Sequence, residues 1–238
     1  MSFNHELTDQ RIIKLVSRLG LASSLYRCLV EEEIVKLVSL DEDWIDHQLP
    51  SFLGEMDLTT FLRTNRLTQE DLLFKVKRDE SLRRFSHYQF GSGLEDYFLR
   101  DKELRDQVVY SLIRVSDPGL VREIWIRLEE GEMTFQQASS AFGEGPEARH
   151  QGLYGPMAVG ALQPIELATI VRNLKPGEIM KPRQLGDWHL IIRLEQLHPA
   201  RLDDAMVNTL LNEQLEALLQ SRVTRLLAGE TLEPLSYE

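Results

Sequence analysis

Two short runs, Gln107–Val115 (QVVYSLIRV) and Trp188–Leu194 (WHLIIRL), constrain this chain more than anything else in it. Both crowd β-branched, aromatic and large aliphatic residues into strand length. A strand needs neighbours to satisfy its N–H and C=O groups, and these runs are too continuously apolar to lie at a sheet edge. They are therefore expected to be central neighbours in a four-stranded, mostly antiparallel sheet.

The flanking sequence is helical. Before the first run, apolar residues recur three and four apart, as in Ile12, Leu15, Val16 and Leu19, then Leu25, Leu29, Ile34 and Leu37. Thr8, Asp41, Thr59 and Thr68 can each open a helix by accepting backbone N–H bonds, Gly20 reads as a stop, and Gly91-Ser92-Gly93 interrupts the pattern. Short helices in series are expected. Between the strands, Asp117-Pro118-Gly119 is a turn, helices are expected over 120–130 and 164–174, and Thr134 caps another through Phe142. Glycines and prolines crowd the irregular stretch from Gly143 to Pro156, where a functional loop is expected. After Pro199, Val207, Leu211, Leu215, Leu218, Leu219 and Leu226 write a long amphipathic helix that needs a partner face.

These patterns predict an α+β protein. Residues 1–105 form a helical body, 106–198 a sheet-containing domain surrounded by helices, and 199–238 a carboxy-terminal helix that closes the helical body from the other chain end.

The 238 residues carry a formal charge of −11 and show no long basic stripe, which argues against a nucleic-acid partner. No stretch approaches the roughly 18 uninterrupted apolar residues of a membrane span. Met1–Gln10 carries Glu6 and Asp9 without an apolar core and does not read as a secretory signal. With the lone Cys28, which packs in an apolar run, this leads to the expectation of a cytoplasmic protein. His5, His47, His87 and His198 lack metal-ligand spacing, and the glycine-rich stretch lacks a phosphate-loop pattern, so neither a metal nor a cofactor is expected. Glu31-Glu32-Glu33 reads as a solvated helix face.

Three motifs in order carry more information than any one of them. GEMTFQQASSAFGEGPEA, Gly131–Ala148, is similar to G-E-x-x-F-x-x-x-A-x-x-F/Y-S-x-D/C-P. QGLYG, Gln151–Gly155, is similar to G-G-D-L-G, and KPGEIMKPRQLGDWHLI, Lys175–Ile191, to a P-G-E-I/V stretch followed by G-Y/F-H-I. Together they resemble the parvulin-type peptidyl-prolyl isomerases over about ninety residues. With the helical flanks, the whole resembles SurA-type and PrsA-type foldases and a group of cyanobacterial parvulin-domain proteins.

The resemblance implies an apolar cup for a client proline, with a histidine pair and an aspartate or cysteine beside the rotating bond. In this chain the first histidine position holds Leu112 and the aspartate or cysteine position Gly145, with Gly143 replacing the nearby serine. His189 is the surviving histidine. The cup is expected from Tyr154, Leu162, Trp188 and either Ile165 or Leu167, which point different ways on one helix. His189 has an equally weighted structural reading, as a core histidine on a central strand, and Ile165 and Leu167 read more readily as plain core. His150 reads as a solvated loop residue, and Arg149 alone falls short of the clusters that bind phosphorylated clients.

Two functions follow. One is an isomerase-like folding factor that binds extended proline-containing polypeptide and turns it over weakly, because Leu112 and Gly145 stand at positions usually polar. The other is a non-catalytic peptide-binding module serving a secretion or peptide-maturation system.

Overall fold

The computed structural model describes residues 8–238, so His5 and Glu6 lie outside the described residues. The chain forms two compact units, one of the described residues through Asp96 together with Asp203–Glu238, the other of Tyr97–Leu202.

The helical unit contains α1 (Asp9–Arg18), α2 (Ala22–Leu37), α3 (Glu42–Leu53), α4 (Leu58–Asn65) and α5 (Gln69–Phe90), and at the other chain end α10 (Asp204–Leu227). Its core joins Val30 and Ile34 of α2, Leu72, Val76 and Phe85 of α5, and Leu215 and Leu219 of α10. The apolar stripe of α10 thus finds its partner face on helices from the opposite chain end. Thr68 opens α5 with a reciprocal capping box to Asp71. Asp57, not Thr59, caps α4, because the chain enters the helix two residues earlier. The glycines at 91–93 form a single 3-10 turn between α5 and α6 (Leu94–Arg105) rather than ending the helical half.

The reading of Glu31 as solvated is overturned. Its carboxylate is 4% exposed and accepts Arg27 Nε at 2.8 Å and Arg78 Nε at 2.7 Å, so α2 and α5 are joined through a paired buried charge. Glu33 is likewise engaged, accepting from Arg222 and from the backbone N–H of Leu235, and Tyr237 stacks near Phe85.

The second unit carries a fully antiparallel sheet ordered β2-β1-β4-β3, from β1 (Gln107–Val115), β2 (Leu153–Ala158), β3 (Arg183–Leu185) and β4 (Trp188–His198). β1 and β4 are the central pair, as their continuous apolar character requires. Leu112 faces Ile192 and Val115 faces His189 in register. One sheet face is covered by α7 (Pro118–Glu129) and α8 (Phe135–Phe142), the other by α9 (Ile165–Arg172). Asp106 ties the ends of the unit together: its carboxylate accepts Ala200 N–H at 2.8 Å, and its carbonyl accepts Val159 N–H at 2.8 Å.

The glycines of QGLYG have a defined purpose. Gly152 (φ +82°) and Gly155 (φ +104°) adopt left-handed backbone and press against the β1 backbone at Leu112 and Val108, where a Cβ would collide with carbonyl oxygens. The motif thereby lets β2 lie tightly on β1, although the sequence around it reads as irregular.

Candidate functional site

Side chains alternate along β1 and β4, so each strand serves both faces of the sheet. Val108, Tyr110 and Leu112 of β1 and Trp188, Leu190, Ile192 and Leu194 of β4 join the cluster under α9. Ile113, Val115 and Ile191 join the cluster under α7 and α8.

The α9 face is not filled. It holds a cavity of about 600 Å³, walled by Tyr110, Leu112 and Arg114 of β1, Tyr154 and Met157 of β2, Leu162, Pro164 and Leu167 at the start of α9, and Leu185, Trp188 and Leu190 of the β3–β4 hairpin. The walls are mostly apolar, and the tyrosine rings of Tyr110 and Tyr154 stack with centroids 5.5 Å apart. Burial pushes the Tyr110 phenol up to about 12, with Tyr154 adding to it, and burial also raises Tyr154. Both rings therefore present neutral, uncharged surface at ordinary pH.

The structure brings Leu112, Tyr154, Leu162, Leu167 and Trp188 together on this cavity. It separates Ile165, which is 61% exposed at the first turn of α9 and points away, so Leu167 is the α9 residue on the wall. His189 also lies off the cavity. Trp188 and Leu190 on either side of it face the α9 cluster, which turns His189 to the opposite face, paired in register with Val115. His150 is an exposed residue of a 3-10 turn.

Gly145 sits near the start of the glycine-rich loop, and its lack of a side chain has a local cause. A Cβ there would overlap both carboxylate oxygens of Glu147 and Nε of Arg114. Gly143 is similarly pressed against the carbonyl of Ser139 and the methyl of Ala148. The space where the family pattern puts polar side chains is thus occupied by an ion pair: Arg114 Nε donates to Glu147 Oε1 at 2.7 Å, with Glu147 fully buried and Arg114 27% exposed. The second oxygen of Glu147 has no hydrogen-bond partner.

Arg114 and Glu147 are functional candidates that the motifs do not reveal. The trace of Arg114 was its position: two residues after Leu112, it is a charge on the inward face of a central strand. Glu147 leaves no such trace, because its burial depends on a loop folding back.

The helical unit has a cavity of its own, about 670 Å³, lined by apolar residues such as Val35, Leu40, Leu67 and Phe74 and by the charged Glu32, Lys36, Glu70, Asp71, Lys75 and Lys77, with Cys28 at one side. Burial, together with Glu32 and Glu31, pushes the Cys28 thiol up, which keeps it protonated and unreactive. Among the described residues no acidic, histidine or cysteine side chains cluster as a metal site would need, and no helix is long and apolar enough to cross a membrane.

No protein-family model and no curated protein sequence matches the chain. Solved structures do. The peptidylprolyl isomerase PrsA of Bacillus cereus superposes with a TM-score of 0.51 at 16% identity over 95% of this chain and 89% of that one. The peptidylprolyl isomerase PrsA of Bacillus anthracis gives 0.45 at 22% identity, over 88% and 99%. A structure from Campylobacter jejuni, one of the SurA-like chaperones PEB4 and Cj1289, gives 0.39 at 12% identity over 98% of each chain. The three motifs, the β2-β1-β4-β3 sheet and the superposition on the Bacillus cereus protein agree: the chain has the fold of the parvulin-type, PrsA-like peptidyl-prolyl isomerases.

Proposed function

We propose that this protein is a parvulin-type, isomerase-like folding factor that holds extended, proline-containing segments of client polypeptides. The observation that carries this reading is the apolar cavity on the α9 face of the sheet, where Tyr154, Leu162, Leu167 and Trp188 converge. A proline ring gains most from such a wall, since its burial depends on area and shape rather than on charge.

Turnover is expected to be weak. Rotating an X–Pro bond crosses about 18–20 kcal/mol, and a site accelerates it only through interactions stronger in the twisted state than in the planar ones. Leu112 offers no hydrogen bond to that state, Gly145 offers no side chain, and His189 belongs to the other face. The helical unit, with its own concavity, is proposed to take further lengths of unfolded chain. A reducing cytoplasm is the proposed compartment, supported by the single cysteine.

A second reading keeps the binding and drops the catalysis: a peptide-holding accessory to a secretion or peptide-maturation system. Leu112 on the cavity wall favours it.

The test is a protease-coupled assay on a panel of X–Pro tetrapeptides beside calorimetric binding of the same peptides. Binding with slow or undetectable turnover is expected, and undetectable turnover moves the assignment to the second reading. Turnover matching that of parvulins with the full polar set, or no binding at all, overturns both.

A further inference from the structure

Within the mostly apolar cavity, Arg114 is the one cationic side chain on the wall among the described residues. It is held there by a built arrangement. Its Nε is engaged by a carboxylate that is itself completely buried, Glu147 is fixed by the turn at 146–150 and by Gly152 N–H on its carbonyl at 2.8 Å, and Gly145 leaves the room the pair requires. Nε is taken by Glu147 and the guanidinium also hydrogen-bonds the Tyr154 phenol, so the terminal N–H donors that these two contacts leave are the ones that can face a ligand.

The charge balance decides what kind of ligand. A lone arginine attracts anions, but this one is already neutralised, and a second anion would sit close to a buried carboxylate oxygen that has no partner. A neutral acceptor suits the pair better. In a peptide whose proline fills the apolar part of the cavity, the nearest such acceptor is the carbonyl oxygen of the residue before proline. Leu112 and Arg114, two residues apart on one strand face, are separated by about 7 Å, the scale of a proline ring and the carbonyl beside it.

We propose that Arg114, positioned by Glu147, donates to the main-chain carbonyl preceding the client proline and makes the cavity a holder of the planar imide rather than an accelerator of its rotation. This rests on the cavity being the proline cup. The chemistry sets the sign: amide resonance places negative charge on that oxygen in the planar forms, and twisting removes it. A donor to the oxygen therefore binds the ground state more strongly than the twisted state. It raises affinity and raises the barrier from the bound complex. Glu147 acts through Arg114 and is a positioning residue.

Arg114→Ala leaves a buried carboxylate uncompensated, so the variant of choice is Arg114→Lys, which keeps the charge but not the forked donor geometry. Calorimetry on the full chain with an Ala–Pro tetrapeptide is expected to show about tenfold weaker binding, and the protease-coupled assay a higher kcat; weaker binding with kcat unchanged would mean that Arg114 holds both states equally and overturns the proposal. Replacing the carbonyl oxygen before proline by sulfur, a poorer acceptor, is expected to weaken binding to the wild type and have little effect on Arg114→Lys. Glu147→Gln frees the charge of Arg114, and a preference for Glu–Pro over Ala–Pro peptides should appear that the wild type lacks.

Wild-type affinity that is insensitive to both Arg114→Lys and the sulfur substitution overturns the proposal while leaving the cup intact. So does a strong wild-type preference for acidic residues before proline, or a fall in kcat with affinity unchanged. If the wild type binds none of these peptides, the failure belongs to the cup reading, and the Arg114 proposal falls with it.

Discussion

Under α7 and α8, Ile113, Val115 and Ile191 meet Phe135, Ala138, Val121 and Ile124, each of these seven at most 2% exposed. Under α9, the same two strands contribute Tyr110, Leu112, Trp188 and Leu190, yet this side stays open enough for a cavity of about 600 Å³. Both faces are apolar and draw on alternate residues of β1 and β4. They differ in what covers them. Two helices close the first face, whereas the short α9, eight residues long, closes only part of the second. Each face also carries a charge: Arg114 on the open side pairs with Glu147 of the 146–150 turn, and Arg193 on the closed side lies over the Phe135 ring and pairs with Glu195. Under the proposed function the same pair of strands divides its work, with stability on the closed side and peptide holding on the open one.

The largest expected effect lies on the closed face. Phe135→Ala removes a ring that is 1% exposed and should lower the unfolding free energy by about 3–5 kcal/mol, read by denaturant titration. Peptide affinity per folded molecule should stay unchanged. If affinity falls in step with stability, the faces are not separable.

On the open face the pattern should invert. Trp188→Ala is expected to weaken peptide binding by at least tenfold, with a smaller loss of stability than Phe135→Ala, because part of the indole is already exposed to the cavity. Leu162 is a poorer probe: at 2% exposure, a charged substitution there would unfold the chain before it tested binding.

His189→Ala sharpens the comparison further. The side chain sits on the closed-face side of β4, so peptide affinity should change by less than about twofold, within the RT-scale uncertainty of a binding measurement. A large loss of turnover or affinity would place the imidazole in the cavity after all.

The smallest effect is one of pH. The Tyr110 phenol is raised from 10 to about 12 by burial, so the unfolded chain ionises first and Tyr110's contribution, intact below pH 10, is lost as pH rises through about 12. Tyr110→Phe should flatten the alkaline decline of stability, and phenolate absorbance should show one tyrosine fewer titrating late. A Tyr110 that titrates at its ordinary value would mean that this wall of the cavity is wetter than the closed face by more than the geometry allows.

Local chemistry was legible throughout. Thr68 and Thr134 could be recognised as caps because a capping box is written within four residues, and β1 and β4 because a central strand needs its apolar run in sequence. Of the cavity-wall residues, Tyr154 and Trp188 stand within the motifs that carry the resemblance, and Leu162 follows from its position between them. The face taken by His189 was not. WHLIIRL is apolar at both parities because β4 is buried on both sides, so alternation has no polar mark from which to start.

By itself, then, the sequence determined most of the helices, the two central strands with their pairing, and the apolar character of several cavity-wall residues, since propensity, capping and periodicity act over a few neighbouring residues, whereas the edge strands β2 and β3 were not legible in it. Tertiary structure alone decided that Glu31 is buried between two arginines, that Leu167 rather than Ile165 lines the wall, and that Gly145 stands empty to admit Glu147 beside Arg114. Each of those depends on which distant segment comes within contact distance, and a carboxylate looks the same in sequence whether water or a guanidinium will meet it.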